Sequence, residues 1–223
     1  MGCGPSKGKT SAAVDALFDP ASGEHDAGDF RIVRVWSKDD PRFDACVDVM
    51  ARSFCGTTTT APEPTIDWAY CNRDAAAAYM PLPEAPSEAR LAFYVWCSKF
   101  ILMMTVSRGG TYALVDKASS AVVAATGTVP PGAPPIPNGT NCEVMSILSA
   151  VGEPPKDDTD QKSQKRMEAY DAWMARIHKQ CMGKQKHLYV QTFFSDPTFQ
   201  GKGCGKALLK LVEALADADG VPA

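Results

Sequence analysis

Apolar residues along the chain follow two different periods, which predict strands and helices in turn. An eight-residue run rich in aromatic and β-branched residues, at 187–194, predicts a buried strand. A shorter run at 30–36 predicts another strand. Two more runs, at 111–116 and 121–129, surround the four-residue segment 117–120 and predict a hairpin. The pattern therefore indicates a sheet whose strands are separated by helical segments.

Helices are predicted where apolar residues recur every three or four positions. Two are expected over 41–54 and 66–79, and a third, longer helix begins at Ser87, which can cap it. The run 91–106 within the third helix is strongly apolar. It contains Lys99 and is shorter than the ~20 residues of a membrane span, which favours a helix in the core. The alternative is a helix whose apolar face rests on a membrane surface.

The second half of the chain predicts two further helices. An amphipathic helix is expected to end near residue 182, because apolar residues recur at Met167, Tyr170, Met174, Ile177 and Cys181. Residues 141–155, which include Glu143, fit neither period clearly. A final helix is expected after the run 187–194, with Gly220 as its stop and an apolar stripe formed by Leu208, Leu211, Val212 and Leu215.

A glycine-rich segment joins the last predicted strand to the last predicted helix. The strand ends at Ser195, and Asp196-Pro197 leads into the sequence Gln200-Gly201-Lys202-Gly203-Cys204-Gly205. Such a turn leaves backbone N–H groups unpaired at the positive end of a helix, and this geometry suits a phosphate or pyrophosphate. The alternative is an ordinary strand-turn-helix with a flexible turn.

The motif Gln200-x-x-Gly203-x-Gly205 is similar to the acetyl-CoA loop Q/R-x-x-G-x-G/A of the GCN5-related N-acetyltransferase family. The context also resembles that family, although Ser195 stands where the family has valine. The resemblance implies an α/β (α+β) fold with a mixed, mainly antiparallel central sheet flanked by helices. It covers 29–223 and lacks the family's last third, so we expect the C-terminal strands of that fold to be missing.

The resemblance implies transfer of an acetyl group from acetyl-CoA, as co-substrate, to an amine on a small molecule or a protein. The loop backbone would hold the pyrophosphate, and the backbone of the preceding bulged strand would pair with the pantetheine arm. The implied cofactor-binding residues are Phe193, Phe194, Ser195, Gln200, Gly201, Lys202, Gly203, Cys204, Gly205 and Lys206. Among them, the two lysines would add positive charge.

The sequence assigns no catalytic base. Family members often use a glutamate on or near the strand before the loop, but the run 187–194 contains no carboxylate. The polar side chains on one face of this run are Tyr189 and Gln191, with His187 at its entry, and Glu143 is a remote candidate. The missing carboxylate and the missing strands favour an alternative function: a non-catalytic CoA-binding or lipid-anchored interaction protein with a degenerate acetyltransferase fold.

The first six residues, MGCGPS, match the pattern for myristoylation of Gly2 after removal of the initiator methionine. Cys3 is placed for palmitoylation. We therefore interpret residues 1–28 as a lipid-anchor tail and linker, followed by an acyl-CoA-binding domain at 29–223. The expected location is the cytoplasmic face of a membrane. The alternative is a disordered tail that begins Met-Gly by chance.

Charge and cysteine content limit the kinds of partner and the cellular compartment that we expect. The net charge is −3, from 23 basic and 26 acidic residues, and there is no basic stripe, so nucleic acid is not an expected partner. The eight cysteines include no Cys-x-x-Cys pair, which is typical of reduced thiols in the cytosol. His178, Cys181 and His187 fit no zinc spacing, so no metal is expected.

Overall fold

The computed structural model describes residues 11–70, 76–133, 141–155 and 161–223. Its strands are β1 (Glu24–Ala27), β2 (Phe30–Val35), β3 (Thr111–Asp116), β4 (Val122–Val129) and β5 (Tyr189–Ser195). Its helices are α1 (Ala12–Asp15), α2 (Phe43–Cys55), α3 (Pro64–Tyr70), α4 (Glu88–Val106), α5 (Asn141–Val151), α6 (Gln161–Met182) and α7 (Cys204–Asp219). The strands form one antiparallel sheet in the order β1-β2-β3-β4-β5. This confirms the expected α+β class with a mainly antiparallel sheet flanked by helices.

Helices cover both faces of the sheet. On one face, α7 buries the apolar stripe that its sequence predicts, formed by Leu208, Leu211, Val212 and Leu215. On the other face, α2 and α4 pack against strand residues such as Val33 and Ala113. Each large apolar side chain removed from water contributes about 1.5–3 kcal/mol. The two apolar layers therefore hold β5 and the start of α7 at fixed positions.

Residues 11–28, interpreted from the sequence as a linker, belong to the folded domain. The hydroxyl of Ser11 accepts the N–H of Val14 at the start of α1 and donates to Asp219 at the end of α7. Val14 and Phe18 are buried in the core beneath α7. Strand β1 pairs with β2 along its whole length. The linker interpretation is therefore wrong for this segment, because two apolar side chains and a strand attach it to the sheet.

A buried cation contributes to this attachment. Arg34 in β2 is 4% exposed, and its guanidinium donates to Asp15 at 2.9 Å. Its central carbon lies 5.0 Å from the ring centre of Phe18, 4.5 Å from that of Trp36 and 5.3 Å from that of Tyr112. These are cation–π distances. The residues that hold the N-terminal segment thus come from distant parts of the chain.

Helix α4 begins as predicted, with the Ser87 hydroxyl accepting the N–H of Arg90 at 3.1 Å. By length and composition alone, this helix could also cross a membrane, and a core helix passes the same two criteria. In the structure, Tyr94 and Leu102 are fully buried against α2. This packing against α2 favours the expected core helix.

Two other segments differ in detail from the expectations. The single helix predicted over 66–79 is represented by α3 and a short 3₁₀ turn at Ala77–Tyr79, while residues 71–75 lie outside the described part. The segment 141–155, which had no clear period, forms α5. The side chain of Glu143 also lies outside the described residues, so its candidacy as a base stays a prediction.

The run 187–194 forms an edge strand and not the buried strand predicted for it. Only one side of β5 is paired, by β4, and no other described strand lies on its second edge. Thr192 and Phe194 are buried, whereas Val190 and Phe193 remain more than one-third exposed. An aromatic, β-branched composition indicates a strand but does not specify how many neighbours it has.

Candidate functional site

The glycine-rich loop between β5 and α7 has the geometry that its sequence predicts. A 3₁₀ turn at Pro197–Phe199 follows β5, and Gly203 directly precedes α7. Gly201 and Gly203 have φ angles of +77° and +89°, where a side chain is strained. No atom lies within 4 Å of a Cβ placed at either position. The two glycines are therefore required by the backbone conformation, and the space beside them is open.

Several backbone donors in this loop have no hydrogen-bond partner among the residues that the structure describes. Within the described residues, no hydrogen bond is formed by the N–H groups of Gly203, Gly205 or Lys206, and no side chain caps α7. These groups lie at the positive end of a sixteen-residue helix. Unpaired N–H groups at such a helix end form an anion-binding site. The loop can thus accept a phosphate through its backbone.

Asp196 fixes the turn that leads into the loop. Its carboxylate accepts the N–H and the hydroxyl of Thr198 at 2.9 and 2.6 Å, and it pairs with Arg52 of α2 at 2.7 Å. Partial burial alone would raise the pKa of Asp196, but these hydrogen bonds outweigh it and hold the pKa below its usual value. The turn therefore keeps a charged carboxylate that ties it to α2.

The predicted cofactor-binding residues differ in which of their atoms remain available. The Phe194 ring packs in the core edge-on to Phe54, with ring centres 6.2 Å apart, so only its backbone could contact a ligand. Cys204 is buried, and burial raises the pKa of its thiol. The ammonium group of Lys202 lies over the Phe199 ring at 4.3 Å. Phe193 lies on the opposite side of β5, beside Gly205.

Strand β5 carries a bulge. Gly127 of β4 pairs with Thr192, but the next residue, Thr128, pairs with Val190, so Gln191 is an extra residue without a partner in β4. The Oε1 atom of Gln191 is shielded from solvent and has no hydrogen-bond partner among the described residues. A bulge redirects side chains and increases the local twist of a strand. Here it occurs where β5 borders a cavity.

A cavity of about 910 Å³ lies beside β5, between that strand and the helices α2 to α6. Residues 189–193 form one wall. Six aromatic side chains contribute to its lining: Phe54, Trp96, Phe100, Tyr170, Tyr189 and Phe193. Its volume lies within the range of sites that hold a small molecule or cofactor. The cavity and the glycine loop are therefore both connected to β5.

Two carboxylates line this cavity. Glu63 precedes α3 and accepts the N–H of Ile66 at 2.6 Å. Asp171 projects from α6, and burial raises the pKa of its carboxyl group. A carboxylate with a raised pKa is a better proton acceptor near neutral pH than an exposed one. The sequence places Asp171 on the polar side of an amphipathic helix, and nothing in the periodicity distinguishes it from the solvent-facing residues there.

Two of the three residues considered as zinc ligands meet in the structure. The Nε2 atoms of His178 and His187 are 2.7 Å apart, and the Nδ1 of His187 is 2.8 Å from the Gln185 carbonyl oxygen. Since that Nδ1–H donates to the carbonyl, the His187 Nε2 accepts the hydrogen of His178. Within the described ranges, no group of three or more His, Cys, Asp or Glu residues could hold a metal. The pair joins the end of α6 to the start of β5.

No protein-family model matches the chain, and no curated protein or solved structure matches it significantly. The resemblance to the N-acetyltransferases therefore rests on the loop motif and its sequence context.

Proposed function

We propose that the chain binds acetyl-CoA at the loop 200–206 and transfers its acetyl group to an amine. The observation that carries this proposal is the set of unpaired N–H groups at the start of α7, directly after a bulged edge strand that borders a cavity. The pyrophosphate would accept these N–H groups, and Lys202 and Lys206 would add positive charge. An acyl-CoA would use all three features: the N–H groups for its pyrophosphate, the strand edge for its pantetheine arm and the cavity for the acetyl acceptor.

The free edge of β5 supports the next step of the proposal. The two amide groups of the pantetheine arm would pair with this edge as a neighbouring strand would. A backbone N–H near the bulge would polarise the thioester carbonyl and stabilise the negative charge that develops on its oxygen. The amine nitrogen would attack the carbonyl carbon, and the C–S bond would break to release the thiolate of CoA.

The amine must lose a proton for this reaction, because an alkylammonium has no lone pair for the attack. Asp171 is the candidate base, since it lies in the cavity wall and burial raises the pKa of its carboxyl group. It would take the proton from the ammonium nitrogen, directly or through a water molecule. When the C–S bond breaks, the nitrogen would lose its second proton, and the CoA thiolate would gain it through solvent.

The same substitution at the two ends of α7 tests acetyl-CoA binding. Gly203 and Gly220 both have positive φ angles, +89° and +63°, and no atom lies within 4 Å of an added Cβ at either site. Gly203→Asp and Gly220→Asp therefore cause similar backbone strain. A carboxylate stabilises a helix at its start and destabilises it at its end. Gly220→Asp should therefore lower the stability of the fold more than Gly203→Asp does.

Titration calorimetry with acetyl-CoA distinguishes the two variants. Gly203→Asp should lose binding, because its charge would lie against the phosphates, whereas Gly220→Asp should bind like the parent chain. Equal affinity of the Gly203→Asp variant and the parent would refute the loop as the binding site. Release of free CoA in the presence of an amine, measured with a thiol reagent, then tests the transfer itself.

The alternative function is CoA binding without turnover. The observation that favours it is the unpaired edge of β5, since the described strands supply only one wall of a cleft for the pantetheine arm. Binding of acetyl-CoA by the parent chain, with no CoA released by any amine, would support this alternative.

The proposal also includes a lipid anchor at the N-terminus. Gly2 and Cys3 lie outside the described residues, and the described part of the chain begins at Ser11. A myristoyl chain alone gives weak, reversible binding with a constant of about 10⁴ per molar, and a palmitoyl group on Cys3 would make it stable. Residues 3–10 can span at most about 30 Å when extended, so the anchor would hold the domain close to the cytoplasmic face of the membrane.

A further inference from the structure

Among the described residues, the charged side chains that line the cavity beside β5 are of one sign. Its described lining includes the carboxylates of Glu63 and Asp171 but no Lys, Arg or His side chain. Neither carboxylate forms an ion pair with a described cation. Unpaired carboxylates in a partly desolvated site attract a cation more strongly than exposed ones do, because less water screens them. The cavity therefore favours a positively charged ligand.

The rest of the lining favours an apolar body on that ligand. Trp96 and Phe100 of α4 stack with ring centres 5.6 Å apart. Ile101 and Met104 of the same helix extend this apolar lining. Tyr170 and Tyr189 face the cavity from α6 and β5. Aromatic faces bind both apolar groups and ammonium ions, the latter through cation–π contacts. A small hydrophilic amine would leave most of this lining in contact with water.

We propose that the acceptor is a primary amine with an aromatic or large aliphatic body and no carboxylate of its own. Its ammonium group pairs with Asp171, and its body lies against the rings of Trp96 and Phe100. The assignment as acceptor rests on the proposed acetyltransferase function, whereas the binding of such an amine does not. An amino acid with a free carboxylate is excluded, because that group would face two carboxylates without a described cation to balance it.

The same carboxylates argue against a long acyl chain as the occupant. A fatty acyl group would cover Glu63 and Asp171 with apolar surface and leave both without water or a cation. Burying an unpaired charge in this way is costly. An ammonium group would balance the charge of Asp171, so it is the occupant that the lining fits.

Titration calorimetry of the full chain with three probes tests separately how the charge and the apolar body of the ligand contribute to binding. We expect 2-phenylethylamine to bind. Phenylalanine, which adds only a carboxylate, and ethylamine, which lacks the ring, should each bind at least about tenfold more weakly, since an added carboxylate without a balancing cation or a lost buried ring corresponds to at least that factor. Equal affinity for phenylalanine and 2-phenylethylamine would overturn the charge argument. Equal affinity for ethylamine would overturn the apolar one.

A matched pair of variants locates the ammonium site. Asp171→Asn keeps the shape of the side chain and should weaken 2-phenylethylamine about tenfold. The control is Asp48→Asn, an exposed carboxylate on α2 that is not part of the cavity lining, and it should leave the affinity unchanged. Equal affinity of the Asp171→Asn variant and the parent would overturn the proposed pairing.

Acetyl-CoA titrations separate this inference from the proposed function. Binding of 2-phenylethylamine should persist in Gly203→Asp, which disturbs only the loop. Amine binding without any acetyl-CoA binding by the parent would refute the acetyltransferase proposal and leave the amine site supported. Acetyl-CoA binding with CoA release for ethylamine and phenylalanine, but no preference for 2-phenylethylamine, would refute this inference alone.

Discussion

Replacing Gln191 with methionine tests whether the bulge in β5 contains an unsatisfied polar group. Gln191 lies in the cavity wall, and its Oε1 is shielded from solvent without a partner in the part of the chain that the structure describes. Methionine has a similar length and no branching, and it adapts to irregular packing. Gln191→Met therefore removes a desolvated acceptor without opening a void, and we expect the variant to be more stable than the parent.

The size of the effect follows from the cost of an unpaired acceptor. A buried polar group without a partner costs about 1–3 kcal/mol. The lower end of this range applies to Gln191, because the residue as a whole is only half-buried. The substitution by methionine also removes the favourable hydration of the amide nitrogen. A gain of about 1 kcal/mol raises the Tm of a chain of this size by about 2–4 °C.

Thr126 in β4 provides the matched control. It is fully buried, and its hydroxyl donates to the Thr192 carbonyl oxygen at 3.0 Å. Thr126→Val keeps the shape and removes a hydrogen bond that is satisfied, so it should lower stability by about 1 kcal/mol. Thermal unfolding followed by circular dichroism measures both variants. If Gln191→Met lowers the Tm as Thr126→Val does, the Gln191 amide has a partner in solution and the reasoning is refuted.

Three further predictions concern other parts of the chain. Iodoacetamide at pH 8, followed by peptide mass spectrometry, should label the exposed Cys181 and leave Cys46 unmodified, because burial raises the pKa of Cys46 to about 12; comparable labelling would contradict that burial. Asp67→Ala should cost at least about 3 kcal/mol of unfolding free energy, since it removes a fully buried carboxylate that pairs with Arg90. Arg52→Ala, at a pair whose arginine is half-exposed, should cost less than about 1 kcal/mol in the same urea titration. Gly2→Ala should release a fluorescent fusion into the cytosol; retention at the membrane would place the anchor elsewhere.

Periodicity predicted the elements whose contacts are local. The stripe of α7, the Ser87 cap of α4 and the hairpin of β3 and β4 all depend on residues a few positions apart. The φ angles of Gly201 and Gly203 also follow from the loop sequence, because only glycine adopts them freely. These features could be predicted since each one is determined within a window of about one element.

The features that could not be predicted depend on distant partners. Residues 11–28 show no period, and their attachment requires Arg34 of β2 and Asp219 of α7. Whether β5 has one neighbour or two is not encoded in its own composition. The position of Asp171 at the cavity likewise depends on how α6 packs beside β5, and a helical pattern does not distinguish a cavity-facing acid from a solvent-facing one.

The length of β5 connects the loop and the cavity in the proposed function. From Gln191 to Ser195 the strand rises by about 13 Å, at about 3.3 Å per residue. The pantetheine arm of CoA is about as long as four extended peptide residues, or about 14 Å. A CoA with its phosphates at the start of α7 and its arm along β5 would therefore bring its thioester close to the bulge, where the strand begins to line the cavity. The bulge is thus the point at which an acetyl group from the loop side and an amine from the cavity side would meet.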